Sequence, residues 1–285
     1  MSKKHRTVLI TGCSSGIGHQ LVSHFLSNQW RVIATLRNAE ERKDLFAEEI
    51  KAYGNRLSIQ SLDVTDPNQR ATVASSIPGG GLDCLVNNAG YSQMGALETC
   101  DEDQIRAQME VNLIAPMLFT RTLLPAIRKA QGSIINVSSM MGFVGLPLSS
   151  SYCASKGGLS MFTESLYHEL RPLGVRVSLI EPGGFRTNFS ENTKWGNTPM
   201  DVYEKATADG QSLQSQLSSG EGKSPHLVVE RIIKIANGDL DSARSRIGID
   251  AVGAAIFSAI CPSPLRIKAT GWCIEKYIEK KLTDG

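Results

Sequence analysis

The chain has 285 residues, 41% of them hydrophobic and 20% charged, enough to bury one complete α/β core without disulfides or metal ions and too few for a second full domain. Its 30 basic and 28 acidic side chains leave a formal net charge of +2, which excludes the broad electropositive footprint of a nucleic-acid-binding protein. The six cysteines (Cys13, Cys84, Cys100, Cys153, Cys261 and Cys273) form neither a CxxC pair nor a Cys/His cluster, so buried reduced thiols are expected and a metal site is not.

The opening Met1-Ser2-Lys3-Lys4-His5-Arg6 runs into an apolar stretch too short for a signal-peptide core, and a cytoplasmic location is the expectation. Apolar runs at 7–11, 32–35, 57–62, 84–86, 133–137, 175–180 and 247–249 read as buried strands. Amphipathic stretches at 17–28, 39–53, 67–76, 102–130, 152–171 and 225–237 read as helices between them. This alternation implies an α/β fold: one Rossmann-type, doubly wound parallel sheet with helices on both faces. Residues 1–285 are therefore expected to form one domain. The rhythm breaks at 188–224, where polar residues surround Phe189, Trp195, Met200 and Tyr203; the segment reads as a mobile cap over a ligand site rather than a solvated insertion. The tail 251–285 reads as a helical extension packed on its own domain, with a membrane surface or a partner subunit as alternatives.

Between the first strand and the first helix stands Thr11-Gly12-Cys13-Ser14-Ser15-Gly16-Ile17-Gly18. Glycines in that place let the backbone turn tightly and approach a pyrophosphate, whose charge is held by free N–H groups at the helix start. Gly12, Ser14, Ser15, Gly16, Ile17 and Gly18 are accordingly the expected cradle. The second strand ends in Thr35-Leu36-Arg37-Asn38, with no acidic residue before Glu40. A carboxylate there would accept the ribose hydroxyls of NAD and repel a 2′-phosphate, whereas a guanidinium grips that phosphate. Arg37 thus points to NADP(H), with NAD(H) the less favoured cofactor.

The GxxxGxG spacing resembles that of the classical short-chain dehydrogenase/reductase family, and the resemblance continues through most of the chain. Asn87-Asn88-Ala89-Gly90 after the fourth strand is similar to the family's second motif, making Asn88, Ala89 and Gly90 cofactor neighbours. Asp63-Val64 looks like its adenine contact. Glu181-Pro182-Gly183-Gly184-Phe185-Arg186-Thr187 resembles the turn that lies beside the nicotinamide, which implicates Pro182, Gly183, Phe185 and Thr187, the threonine as partner of the carboxamide.

Tyr152-Cys153-Ala154-Ser155-Lys156 carries the expected chemistry. On a helix, positions i and i+4 share a face, so phenol and ammonium project into one volume. A free phenol, with a pKa near 10, exchanges protons poorly at neutral pH. A positive charge about 5 Å away, at an effective dielectric of about 20, favours the phenolate by roughly 3 kcal/mol. The family resemblance adds Ser139 as the donor to the substrate oxygen, with Ser138 as its rival, and Asn112 as the holder of a water that links the lysine to solvent. Asn112, Ser139, Tyr152 and Lys156 are the expected catalytic set.

A nucleotide-sugar epimerase or dehydratase also uses a Tyr-Lys pair, but residues 11–18 do not fit its TGxxGxxG spacing. A non-catalytic NADP-binding sensor or scaffold would not require the intact Ser, Tyr and Lys set. Met94, Phe143, Leu146 and Phe189, with Ser139, are the expected substrate contacts, and their apolar character suits a bulky lipophilic alcohol or ketone. The stretch from Thr7 through Phe189 looks similar to hydroxysteroid and retinol dehydrogenases; a 3-oxoacyl thioester reductase is the same-reaction alternative. The resemblance also implies a homodimer or homotetramer.

Overall fold

The computed structural model describes residues 5–185, 192–219 and 224–272. Along β1 (Thr7–Thr11) successive side chains enter opposite layers, Val8 and Ile10 into one core and Leu9 into the other. The same alternation sends Val32 and Ala34 of β2 (Arg31–Leu36) one way and Ile33 the other, and divides Cys84 and Val86 from Leu85 in β4 (Cys84–Asn87). Both faces are covered, so these strands read as continuous apolar runs rather than as alternating ones. With β3 (Leu57–Ser61), β6 (Ser133–Val137), β7 (Arg176–Pro182) and β9 (Arg244–Ile247) they form a seven-stranded parallel sheet in the order β3-β2-β1-β4-β6-β7-β9. This is the doubly wound architecture expected from the alternation of elements.

One face is covered by α1 (Gly16–Ser27) and α8 (His226–Asn237), which bring Leu21, Val22, Phe25, Val228, Val229 and Ile232 onto the sheet. The other carries α3 (Pro67–Ser75), α5 (Ala115–Ala130) and α6 (Ser150–Leu170), through Val73, Phe119, Leu123, Ile127, Leu166 and Leu170. A side-chain knot seals the seam between α1 and α8. The Trp30 indole N–H donates to Asn237 Oδ1 at 3.0 Å, Arg6 donates to the same oxygen at 2.9 Å, and the Arg6 guanidinium lies 4.2 Å from the centre of the Trp30 ring. Cys13, Cys84 and Cys100 are buried free thiols, and Cys153 and Cys261 are half-buried; Cys273 lies outside the described residues.

Four elements depart from the sequence reading. The last strand is Arg244–Ile247, not 247–249: Gly248, at φ +107°, ends it, and Ile249 begins α9 (Ile249–Ile260) fully in the open. An edge strand tolerates its two arginines, so it carries no apolar run to read. The helix expected over 102–130 is α4 (Glu102–Met109) and α5 joined by one wide turn, Glu110–Ile114, with π-type geometry. The segment expected as a cap holds α7 (Asp201–Ser219) and the short strand β8 (Lys194–Trp195), which pairs with β5 (Gln93–Met94); α7 is mostly polar and the strands too short to carry a period. Finally, α9 turns its small residues Ala251 and Ala255 inward, leaving Ile249, Val252, Ile256 and Ile260 exposed. Among the described residues no helix is long and apolar enough to cross a membrane.

Candidate active site

The strand order reverses between β1 and β4, and ligands of parallel α/β sheets lie off the carboxyl ends at such a point. The glycine turn stands there. Gly12 has φ +72°, and a Cβ on it would lie 2.8 Å from Ala89 Cα, so the turn is pressed against the loop after β4. Asn88 fastens the two together: its side-chain amide donates to the carbonyls of Thr11 at 2.9 Å and Gly12 at 3.1 Å, while the Asn88 and Ala89 amides both donate to Thr11 Oγ1 at 3.0 Å. Ser15 precedes α1 without a side-chain capping bond, leaving the helix start to an anion. A Cβ on Gly18 would come within 2.2 Å of the Gly12 carbonyl oxygen. Gly18→Ala is therefore expected to cost about 3 kcal/mol of stability, the upper end for forcing an atom into packed structure, and to weaken dinucleotide binding; paired thermal melts and binding titrations check it.

Arg37 is exposed just past β2 and pairs with none of the described residues, whereas the next acidic side chain, Glu40, forms an ion pair with Lys43. The arginine is thus available to a phosphate without a competing carboxylate. Asp63 spends one carboxylate oxygen on its own turn, accepting from the Thr65 amide at 2.9 Å and the Thr65 hydroxyl at 2.7 Å, and the Val64 carbonyl accepts from Arg70 at 2.7 Å. Pro182 ends β7. The Gly183 amide donates to the Ile247 carbonyl at 2.8 Å and the Gly184 amide to Asp250 at 2.5 Å, so the turn before half-buried Phe185 is braced by β9 and α9. Thr187 and Phe189 lie outside the described residues.

The acid-base candidates come from three elements. Tyr152 and Lys156 share a face of α6 and are 5% and 4% exposed. Lys156 Nζ donates to the Val137 carbonyl at 2.9 Å and lies 6.0 Å from the centre of the Tyr152 ring. Ser139 opens the turn Met140–Gly142 after β6, accepts from the Met141 amide at 3.2 Å and is hydrogen-bonded with the Tyr152 phenol. Ser138 is committed elsewhere, donating to the Lys156 carbonyl at 3.0 Å with its oxygen 3.0 Å from Ser160 Oγ. Asn112 sits in the wide turn between α4 and α5, accepts from the Tyr91 amide at 3.2 Å, and donates to the Tyr91 carbonyl at 2.9 Å and to Ser155 Oγ at 3.2 Å. A Cβ on Gly90 would lie 3.0 Å from Asn112 Oδ1 and 3.6 Å from Lys156 Nζ, which brings the loop after β4 against both. Extra-wide helical turns concentrate at functional sites, where they re-aim one side chain.

The electrostatics correct the sequence reading. Burial pushes the Tyr152 phenol up, not down, opposed only in part by the Ser139 hydrogen bond. Burial also draws Lys156 down to about 8. Loss of water is the leading cause of both shifts, a cost that the pairwise attraction considered above left out. The resting pair therefore keeps its proton on the phenol, as a proton donor requires.

Met94, Phe143 and Leu146 are half-buried, and α7 packs against Leu148, just past Leu146, and against Trp195. A Cβ on Gly210 would fall 2.9 Å from a Leu148 methyl and 3.2 Å from the Trp195 ring. The Gly95 amide donates to the Leu148 carbonyl at 2.7 Å, and Gln104 donates to the Trp195 carbonyl at 2.9 Å.

A family model described as short chain dehydrogenase matches residues 6–197. The chain belongs to the short-chain dehydrogenase family. It is an oxidoreductase acting on alcohol and carbonyl groups. Retinol dehydrogenase 8 of Bos taurus is 30% identical over 285 residues, covering 96% of this chain and 91% of that protein. A short-chain dehydrogenase from Streptomyces avermitilis superimposes with a TM-score of 0.80 at 31% identity, covering 97% of this chain and 98% of that one. One from Burkholderia cenocepacia, solved in complex with NADP, gives 0.73 at 27% identity, with 94% and 98% covered.

Two parts of this short-chain dehydrogenase's site escaped sequence reasoning. Asp250 props the Pro182-Gly183 turn from a helix that read only as tail. Glu181, noted only as part of that turn, is fully buried and accepts from Arg246 Nε at 3.1 Å. A glutamate ending an apolar strand was the available signal, since buried carboxylates are kept only with partners.

Proposed function

We propose that the chain is an NADP(H)-dependent dehydrogenase/reductase of bulky lipophilic alcohols and ketones, with Tyr152 as its acid-base residue. The observation that carries this reading is the buried Tyr152, hydrogen-bonded with Ser139 and sharing a helix face with Lys156. NADPH, held by the residues named below, would supply the hydride for the carbonyl carbon. The Tyr152 hydroxyl delivers the proton to the carbonyl oxygen, and the Ser139 hydroxyl donates a hydrogen bond to that oxygen as charge gathers on it. The Lys156 ammonium stabilises the phenolate left behind, and the Asn112 turn links the lysine to solvent. The turn at Gly12–Gly18 would take the pyrophosphate, Asp63 and Val64 the adenine, and Pro182, Gly183, Phe185 and Thr187 the nicotinamide.

Support for the 2′-phosphate comes from Arg37, exposed just past β2 and without a partner among the described residues, and from the NADP held by the Burkholderia cenocepacia protein. Wild type is expected to favour NADPH over NADH in kcat/KM, and Arg37→Asp to reverse that order by tenfold or more, about the effect of exchanging a charge-assisted bond for a repulsion; an unchanged ratio would exclude Arg37 from the phosphate site. Lipophilic substrates are supported by the half-buried apolar side chains of Met94, Phe143 and Leu146, and by the retinol dehydrogenase relative. Following NADPH oxidation with steroids, retinal, acyl thioesters and small ketones tests this choice, turnover confined to acyl thioesters or small ketones overturning it. By the family resemblance we further propose a cytoplasmic homo-oligomer, paired through the α5 and α6 side where Ile114 and Met161 are exposed; light scattering of the purified protein measures its mass.

A further inference from the structure

We propose that Glu181 is a positioning residue that, through Ser160 and Ser138, holds the Ser139 turn and Lys156 in register; the proposal rests on the catalytic roles assigned above. Glu181 stands at the end of β7 with its carboxylate wholly inside the domain. One oxygen accepts from Arg246 Nε at 3.1 Å, with Arg244 Nε 3.8 Å away, and the other accepts from Ser160 Oγ at 3.3 Å. Ser160 lies one turn beyond Lys156 on α6. Its oxygen is 3.0 Å from that of Ser138, and Ser138 donates to the Lys156 carbonyl at 3.0 Å. The single Ser160 proton serves either Glu181 or Ser138, so the carboxylate ties β9, β7 and α6, and the Ser138 bond to the Lys156 carbonyl ties the end of β6 to the same turn of that helix.

Two further contacts show that the chain of bonds bears on the serine. Gly142 closes the turn that Ser139 opens, and a Cβ on it would lie 2.9 Å from Ser160 Oγ, 3.0 Å from the Lys156 carbonyl oxygen and 3.1 Å from Ser138 Oγ. The turn therefore rests directly on the network. From the other side the Arg246 guanidinium lies 5.0 Å from the centre of the Phe143 ring, immediately after that turn. A buried ion pair adds little net stability, but it fixes register where several elements must meet in one arrangement. A displacement of about 1 Å at such a point lowers a rate by about 10²-fold.

The test uses the full-length protein and four variants: Ser160→Ala, Ser160→Thr, Glu181→Gln and the double variant Ser160→Ala/Glu181→Gln. Two quantities are read, kcat for NADPH-dependent reduction and the rate at which acetic anhydride labels the Lys156 amine as a function of pH, the latter needing no substrate. Ser160→Ala and Glu181→Gln are each expected to lower kcat by about tenfold or more and to change the Lys156 labelling rate by about threefold or more. Ser160→Thr, which keeps the hydroxyl, restores both, and the double variant is no worse than the worse single one, because both act on one network. Unchanged kcat and labelling in a folded Ser160→Ala, or losses that simply add, overturns the proposal. If Glu181→Gln does not fold, Ser160→Ala alone decides, since it leaves the carboxylate paired with Arg246. A wild type that turns over no carbonyl refutes the functional reading instead, and the labelling still decides the network.

Discussion

Tyr152→Phe is expected to lower kcat by about 10³-fold, within the range that a positioned acid-base group supplies, while NADPH binds with an unchanged Kd. Phenylalanine keeps the ring and loses only the hydroxyl, so the packing of a residue that is 5% exposed is preserved. Because burial holds the phenol protonated, it is a ready donor in reduction and a reluctant base in the reverse direction. Alcohol oxidation by the wild type should therefore keep rising as pH increases through the alkaline range. Near-normal kcat in the phenylalanine variant, measured under saturating NADPH, removes Tyr152 from the chemistry.

Lys156→Met is expected to abolish most turnover and weaken NADPH binding, yet to raise the stability of the cofactor-free protein. The ammonium titrates near 8 in the fold against 10.5 in the open, a difference equivalent to about 3 kcal/mol. Below pH 8 both folded and unfolded chains carry the proton, and the fold bears the whole cost of the buried charge. That cost shrinks as pH rises from 8 towards 10.5 and vanishes above, where both states are neutral. Methionine removes it and leaves the Val137 carbonyl without its donor, which returns about 1 to 2 kcal/mol. A net gain of about 1 kcal/mol at pH 7, or a rise in Tm of about 2 °C, should shrink when the melts are repeated at pH 10. A methionine variant less stable than wild type at pH 7 contradicts the assignment. The same titration predicts that carbonyl reduction slows above pH 8, as the cation facing the nascent phenolate is lost, and that Lys156→Arg, permanently charged, abolishes this decline.

How much of this was legible follows from how local each determinant is. The glycine turn and the Tyr152/Lys156 pair are encoded within a few residues, so their spacing, read together with the family resemblance, singled them out. The wide turn around Asn112 was not, because the apolar period of 102–130 passes through it unbroken. Glu181 meets Arg246 from 65 positions away, on an edge strand whose polar residues concealed it. The upward shift of the phenol was missed for a different reason: a distance between two charges can be read from a helix, but the water each one loses depends on the whole fold. Helix α7 is held by side chains of distant loops, Tyr203 donating to Glu98 at 2.7 Å, and its own composition announces little.

The knot of Arg6, Trp30 and Asn237 bears on how the polypeptide emerges from the ribosome. The indole's acceptor is 207 positions downstream and the arginine's 231, so the first βα unit is synthesised long before the helix that covers it. Until α8 is released, Phe25, Leu26 and Trp30 have no lid on that side, and a nascent chain must be shielded or wait. Premature termination anywhere before Asn237 should yield not a smaller enzyme but an insoluble fragment.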